Sequence, residues 1–243
     1  MITKVALISG GTRGIGRATV LQMIKDGYYT VTFSRSPQKR KALQSYLSQH
    51  YASNRFGVLT GDVTKEADVK RIVRHTIKKR KKIDALVNNA GFGYFAEVDR
   101  ADMKKVQDMI ATNVTGMMLL TKAVVPYMKK RKKGLIINIA SIAGKRALAN
   151  AEFYSATKFA VYGFTYGLRK ELASYGIKVA TIAPGMIKTD FFDKRELIRR
   201  KKVWKGKIPP IMDVSDITRL IKLIYQQSAA SSIQDIVIMP FKN

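Results

Sequence analysis

Val5-Ala6-Leu7-Ile8-Ser9-Gly10-Gly11-Thr12-Arg13-Gly14-Ile15-Gly16 decides the fold. Its first five residues form a short apolar run, which reads as a strand buried on both faces. Three glycines at the spacing G-x-x-x-G-x-G (Gly10, Gly14 and Gly16) then interrupt it, and a helix-like stretch runs on from Gly14 to Gly27. Glycine permits a tight turn and close backbone approach, and a helix N-terminus favours an anion. A strand, a glycine loop and a helix in that order make a cradle for a pyrophosphate.

The same alternation continues outward from this unit. Val5–Ser9, Thr30–Ser34, Phe56–Thr60, Ile83–Asn88, Leu135–Ala140, Lys178–Ala183 and Asp235–Met239 read as strands. Gly14–Gly27, Pro37–Tyr51, Lys65–Lys79, Asp102–Met128, Ala151–Tyr175 and Asp213–Gln227 read as helices. Ser36 and Pro37 supply a cap and a first-turn proline, and Asp62 and Thr64 supply turn and cap chemistry. The pattern predicts a three-layer, doubly wound α/β domain with a seven-stranded parallel sheet. One domain over residues 1–243 is expected, with a substrate lid at about 188–212.

The chain has 243 residues, 46% of them hydrophobic, and no cysteine. Disulfides, thiolate zinc sites and thiol nucleophiles are thereby excluded. His50 and His75 lie far apart in polar helical stretches, so no metal site is expected. No targeting segment is read before the glycine loop and no membrane span along the chain, which predicts a cytoplasmic protein. The net charge is +28, and the pentapeptide KKRKK occurs twice, at Lys78–Lys82 and Lys129–Lys133. Each run lies between a helix end and a strand start, so both belong at the sheet edge opposite the strand C-termini. Basic residues suit helix C-termini, and the alternative of a nucleic-acid dock is not favoured.

After the second strand, Phe33-Ser34-Arg35 lacks the carboxylate that would bind a ribose 2′-OH. Arg35 and Arg13 offer guanidinium groups suited to a 2′-phosphate instead, which favours NADP(H) over NAD(H). Tyr154 and Lys158 stand four residues apart and share a helix face. A phenol with a pKa near ~10 is a poor proton donor at neutral pH, and a fixed ammonium nearby lowers that pKa. Y-x-x-x-K alone is common and reads as a surface pair. The glycine loop, and Ser141 ending an apolar run thirteen residues upstream, point instead to a proton-transfer site.

The chain resembles the short-chain dehydrogenase/reductase family over nearly its whole length. The resemblance rests on the glycine loop, Asp62-Val63, Asn88-Asn89-Ala90-Gly91, Asn113, Ser141, Tyr154, Lys158 and Pro184-Gly185, in that order. It implies that Gly10, Thr12, Arg13, Gly14, Ile15, Gly16 and Arg35 hold the dinucleotide, with Asp62 and Val63 at the adenine. It also implies that Asn89, Ala90 and Gly91 border a ribose, and that Pro184, Gly185, Ile187 and Thr189 surround the nicotinamide. Tyr154 would protonate the substrate oxygen, Lys158 would hold the ribose and tune Tyr154, and Ser141 would orient the carbonyl. Asn113 would anchor a water leading to Lys158.

The C-terminal stretch Ser232–Pro240 lacks a Gly-Gly pair and looks closest to the serine-type 3-hydroxy acid dehydrogenases, with the 3-oxoacyl reductases next. The expected substrate is a small, acidic 3-oxo or 3-hydroxy compound, with Lys145 and Arg146 as candidate carboxylate contacts. The post-Gly185 segment, with Phe191, Phe192, Lys194, Arg195, Glu196, Arg199, Arg200, Lys201, Lys202 and Trp204, would close the pocket. The alternatives are a 3-oxoacyl thioester reductase and an NADP(H)-sensing or polyanion-binding protein without turnover. A homodimer or homotetramer is expected on the helices around Asn113 and Tyr154. Met109, Met117, Met118, Phe164 and Leu168 are either its interface or ordinary core.

Overall fold

The computed structural model describes residues 4–192 and 210–241. The apolar runs form β1 (Val5–Ser9), β2 (Tyr29–Ser34), β3 (Phe56–Thr60), β4 (Ala85–Asn88), β5 (Gly134–Ile139), β6 (Ile177–Pro184) and β7 (Asp235–Ile238). They make one seven-stranded sheet in the order β3-β2-β1-β4-β5-β6-β7, with every pairing parallel. The chain winds outward from β1 to β3, returns to lay β4 beside β1, then winds outward to β7. This reversal opens a crevice beyond the C-terminal ends of β1 and β4.

Strand side chains alternate between the faces, so the inner strands feed two cores, while the edge strand β7 packs only Ile236 and Ile238 on one. On one face Ala6, Ile8, Val87, Ile137 and Ile182 pack with α1 (Gly14–Lys25) and α2 (Pro37–His50). The C-terminal helix Val214–Gln226 joins them through Ile217, Ile221 and Ile224. On the other face Leu7, Val31, Leu86, Ile136 and Val179 pack against α3 (Glu66–Arg80) through Val69 and Ile72.

The expected helix from Asp102 to Met128 is continuous in path but not in pitch. It comprises α4 (Met103–Ile110), a six-residue π-helical turn at Ala111–Gly116, and α5 (Met117–Arg131). The long helix α6 (Glu152–Ala173) follows, and the C-terminal helix Val214–Gln226 is α7. The stretch Met103–Arg131 is long and apolar enough to span a bilayer by length and composition alone. Its Met109, Leu120, Val124 and Met128 are instead fully buried against the rest of the molecule.

The helix ends follow the capping chemistry with one correction. Ser36 accepts from Lys39 N ahead of Pro37, and Asp213 and Asp216 form a reciprocal capping box on α7. Thr64 caps nothing, because α3 starts after Lys65 without a side-chain cap. The Thr64 N–H and hydroxyl instead both donate to Asp62 Oδ1, at 3.0 and 2.9 Å, closing a local turn.

The two KKRKK runs do meet at the edge opposite the crevice. Lys81 and Lys132 both adopt the left-handed conformation just past α3 and α5. Asp84 joins the runs: Lys82 Nζ lies 3.3 Å and Arg131 Nη2 2.8 Å from its carboxylate, which also accepts from Val5 N at 2.8 Å. Met109, Met117 and Leu168 are core residues, and Met118 and Phe164 pack against the cores. The exposed aromatic residues on α6 are Phe159 (47%) and Tyr166 (44%).

Candidate active site

Serine and asparagine side chains hold the glycine loop in place. Ser9, the last residue of β1, accepts the backbone N–H groups of both Asn89 and Ala90 at 3.0 Å. Asn89 donates back to Ser9 O and Gly10 O at 3.0 and 3.1 Å, so the ends of β1 and β4 are stitched together. Gly10 has φ +67°, and a Cβ there would lie 2.9 Å from Ala90 Cα. A Cβ on Gly16 would lie 2.3 Å from Gly10 O. Helix α1 has no side-chain cap and no acidic residue in its first turn, leaving its N-terminal N–H groups for an anion.

From this loop a cavity of about 730 Å³ runs across the C-terminal edge of the sheet. Its walls include Gly10, Thr12, Arg13, Gly14 and Ile15, then Arg35, Asp62 and Val63, then Asn89, Ala90 and Gly91. They continue through Ser141, Tyr154 and Lys158 to Pro184, Gly185, Ile187 and Thr189. Two residues expected at the site stand behind its wall: Gly16 packs under Gly10, and Asn113 is 3% exposed. An uncapped helix end, a bare glycine cradle and a long trough together fit a dinucleotide.

At the end of the trough where the sequence reading expects a 2′-phosphate, Arg35 is accompanied by Lys39 rather than by Arg13. Arg35 Nη1 is 3.9 Å from Asp62 Oδ2, and Lys39, which drew no notice in the sequence, lines the same wall. Arg13 reaches the other way, donating to Asp190 O at 3.1 Å and joining the glycine loop to the segment after Pro184. That segment is tied down further by Lys188 N donating to Met212 O at 2.9 Å and Met212 N donating to Met186 O at 3.0 Å. Most of the expected lid lies outside the described residues, including Lys194, Arg195, Glu196, Arg199, Arg200, Lys201, Lys202 and Trp204.

Ser141, Tyr154 and Lys158 converge on the far half of the cavity. Ser141 Oγ accepts from Ala143 N at 3.1 Å, and its hydroxyl proton has no acceptor among the described residues. Lys158, 7% exposed, donates to Ile139 O at 3.0 Å and lies 5.8 Å from the centre of the Tyr154 ring. Burial pushes its pKa down to about 8.

Asn113 sits in the π turn, a distortion that recurs at functional sites. Its amide donates to Phe92 O at 2.9 Å and Thr157 Oγ1 at 3.1 Å and accepts from Phe92 N at 3.0 Å. Both amide protons are thus taken by Phe92 O and Thr157 Oγ1. Lys145 turns out of the cavity, its ammonium 4.5 Å from the centre of the Tyr162 ring, whereas Arg146 stays on the wall.

Comparison with known proteins agrees with this geometry. The family model for short chain dehydrogenases matches residues 4–198. A 3-ketodihydrosphingosine reductase of Bacteroides thetaiotaomicron is 33% identical, over 81% of this chain and 69% of its own length. A 3-oxoacyl-[acyl-carrier-protein] reductase of Synechocystis is 37% identical, over 78% of this chain and 76% of its own. Among solved structures, the closed form of serine dehydrogenase complexed with NADP+ superposes with a TM-score of 0.87 at 26% identity, covering 97% and 94% of the two chains. The glycine cradle, the sheet order and the matched family model lead to one conclusion: this chain belongs to the short chain dehydrogenase family.

Proposed function

We propose that this chain is an NADPH-dependent reductase of 3-oxo carbonyl compounds, running in reverse as a 3-hydroxy dehydrogenase. The observation that carries the reading is the placement of Ser141, Tyr154 and Lys158 on one cavity with the glycine cradle. Two relatives carry 3-keto or 3-oxo in their names, and a neighbouring structure holds NADP+, which supports both the substrate class and the cofactor.

Held along Gly10–Ile15 and Asn89–Gly91, NADPH would supply the hydride. Ser141 directs its hydroxyl proton at the carbonyl oxygen and stabilises the negative charge that develops there. Tyr154 gives its phenolic proton to the same oxygen, so hydride and proton together convert C=O to CH–OH. Lys158 stays charged at neutral pH and favours the phenolate that Tyr154 becomes. Asn113 holds Thr157 on α6 and the backbone of Phe92, setting the distance between the α6 side chains and the loop facing them. Arg35 and Lys39, on the cavity wall with Asp62, would hold the 2′-phosphate, and Asp62 the adenine.

A thioester on an acidic carrier is a second reading, favoured by the net charge of +28 and by the Synechocystis relative. Consumption of NADPH across 3-oxo acids, their esters and their thioesters tests the proposal. Turnover with any of these classes, faster with NADPH than NADH, is expected. Tight NADPH binding without turnover on any of them would instead favour a cofactor-sensing protein.

A further inference from the structure

The wall beside Tyr154 is more aromatic than proton transfer requires. The Phe95 ring centre lies 5.4 Å from that of Tyr154, and the Phe191 ring 5.8 Å from it at 61°. Phe192 meets Phe191 edge-on at 5.2 Å and Phe95 at 5.5 Å. These rings come from two segments nearly a hundred residues apart in sequence.

The loop bearing Phe95 is fixed rather than draped. Asn113 holds both backbone groups of Phe92, Tyr94 N donates to Met109 Sδ at 3.2 Å, and Asp102 N donates to Tyr94 Oη at 2.9 Å. Gly93 is what lets the rings meet. A Cβ there would stand 2.5 Å from Phe95 Cζ and 3.1 Å from Phe191 Cε1. A methylene placed against these rings gains by leaving water.

We propose that the enzyme selects its substrate through an apolar substituent on the reacting carbonyl, an acyl chain or aryl ring that packs on Phe95 and Phe191 beside Tyr154. This rests on the reductase reading above and replaces the expectation of a small acid with a hydrophobic 3-oxo compound.

The test is kcat/KM at saturating NADPH for 3-oxo esters of increasing alkyl length, with acetoacetate as the small acid. In the wild type the value should rise about two- to fourfold per added methylene until the wall is covered. Phe95→Ala should flatten that rise while leaving NADPH affinity unchanged, and Gly93→Ala should weaken it by displacing the Phe95 ring. Phe95→Leu keeps apolar bulk and should retain part of the slope. It carries the test if Phe95→Ala loses NADPH binding. A flat wild-type profile, a preference for acetoacetate, or an unchanged slope in Phe95→Ala would overturn the aromatic-wall assignment and leave the reductase standing. No turnover on any compound would overturn both.

Discussion

Lys158 is a cation held where cations are disfavoured. It is 7% exposed, and burial takes its pKa from 10.5 to about 8. Below pH 8 the folded and unfolded states both carry the proton, and the folded state bears the full desolvation penalty. Between about 8 and 10.5 the unfolded chain binds more protons than the folded one, so stability rises with pH. A shift of two to three units corresponds to roughly 3 kcal/mol. Lys158→Met removes that penalty and also the charge-assisted hydrogen bond to Ile139 O, worth about 1.5–3 kcal/mol. The cofactor-free variant should therefore gain about 1 kcal/mol in urea unfolding at pH 7 and lose turnover, the gain shrinking above pH 8. A less stable variant at pH 7 would contradict this account of Lys158. Arg35→Asp should weaken NADPH binding much more than NADH binding, and equal losses in a titration would argue against a 2′-phosphate contact. That Tyr154, Lys158 and Ser141 would meet at one cavity was legible in the sequence because of their order behind a glycine loop. Ser9 and Gly93 were not, because Ser9 meets partners eighty residues away and Gly93 answers to a ring on a distant segment.

At the scale of elements, a chain of buried amides and hydroxyls ties the sheet to its helices. Asn88 donates to Thr121 Oγ1 at 3.0 Å and Asn138 Oδ1 at 2.8 Å, and Asn138 donates to Thr165 Oγ1 at 2.8 Å. These bonds join β4 and β5 to α5 and to α6, which bears Tyr154 and Lys158. Asn138→Ala strands a buried Asn88 proton and should cost about 2–3 kcal/mol in urea unfolding. A loss under about 0.5 kcal/mol would show that the bonds hold little. The strands were legible to within a residue or two because they are short Val- and Ile-rich runs set between helix-like stretches, so length and composition place them without a period. The π turn was not, since apolar residues continue through Asp102–Met128 and a local change of pitch leaves the pattern intact. The missing Thr64 cap has a similar origin: Asp62 Oδ1 takes both Thr64 donors before α3 begins.

Across the whole molecule, charge and shape pull in different directions. A net charge of +28 repels itself, and six lysines of the KKRKK runs (Lys78, Lys79, Lys81, Lys130, Lys132 and Lys133) are exposed on one edge. Raising NaCl from about 0.02 to 0.5 M should stabilise the fold by about 1 kcal/mol and raise Tm by about 2–4 °C. An unchanged Tm would mean that the excess charge is already neutralised locally. The position of this edge, opposite the crevice, was legible from the topology of a parallel sheet, whereas the cavity's aromatic wall required the fold itself. The central claim is that Tyr154 delivers the proton in a site that binds NADPH independently of it. The most direct measurement follows NADPH binding and NADPH consumption with a 3-oxo ester on the same samples of wild type and Tyr154→Phe. The account predicts matching NADPH affinities and a loss of turnover of about 10²–10⁴-fold in the variant. Comparable turnover in the two proteins would contradict it.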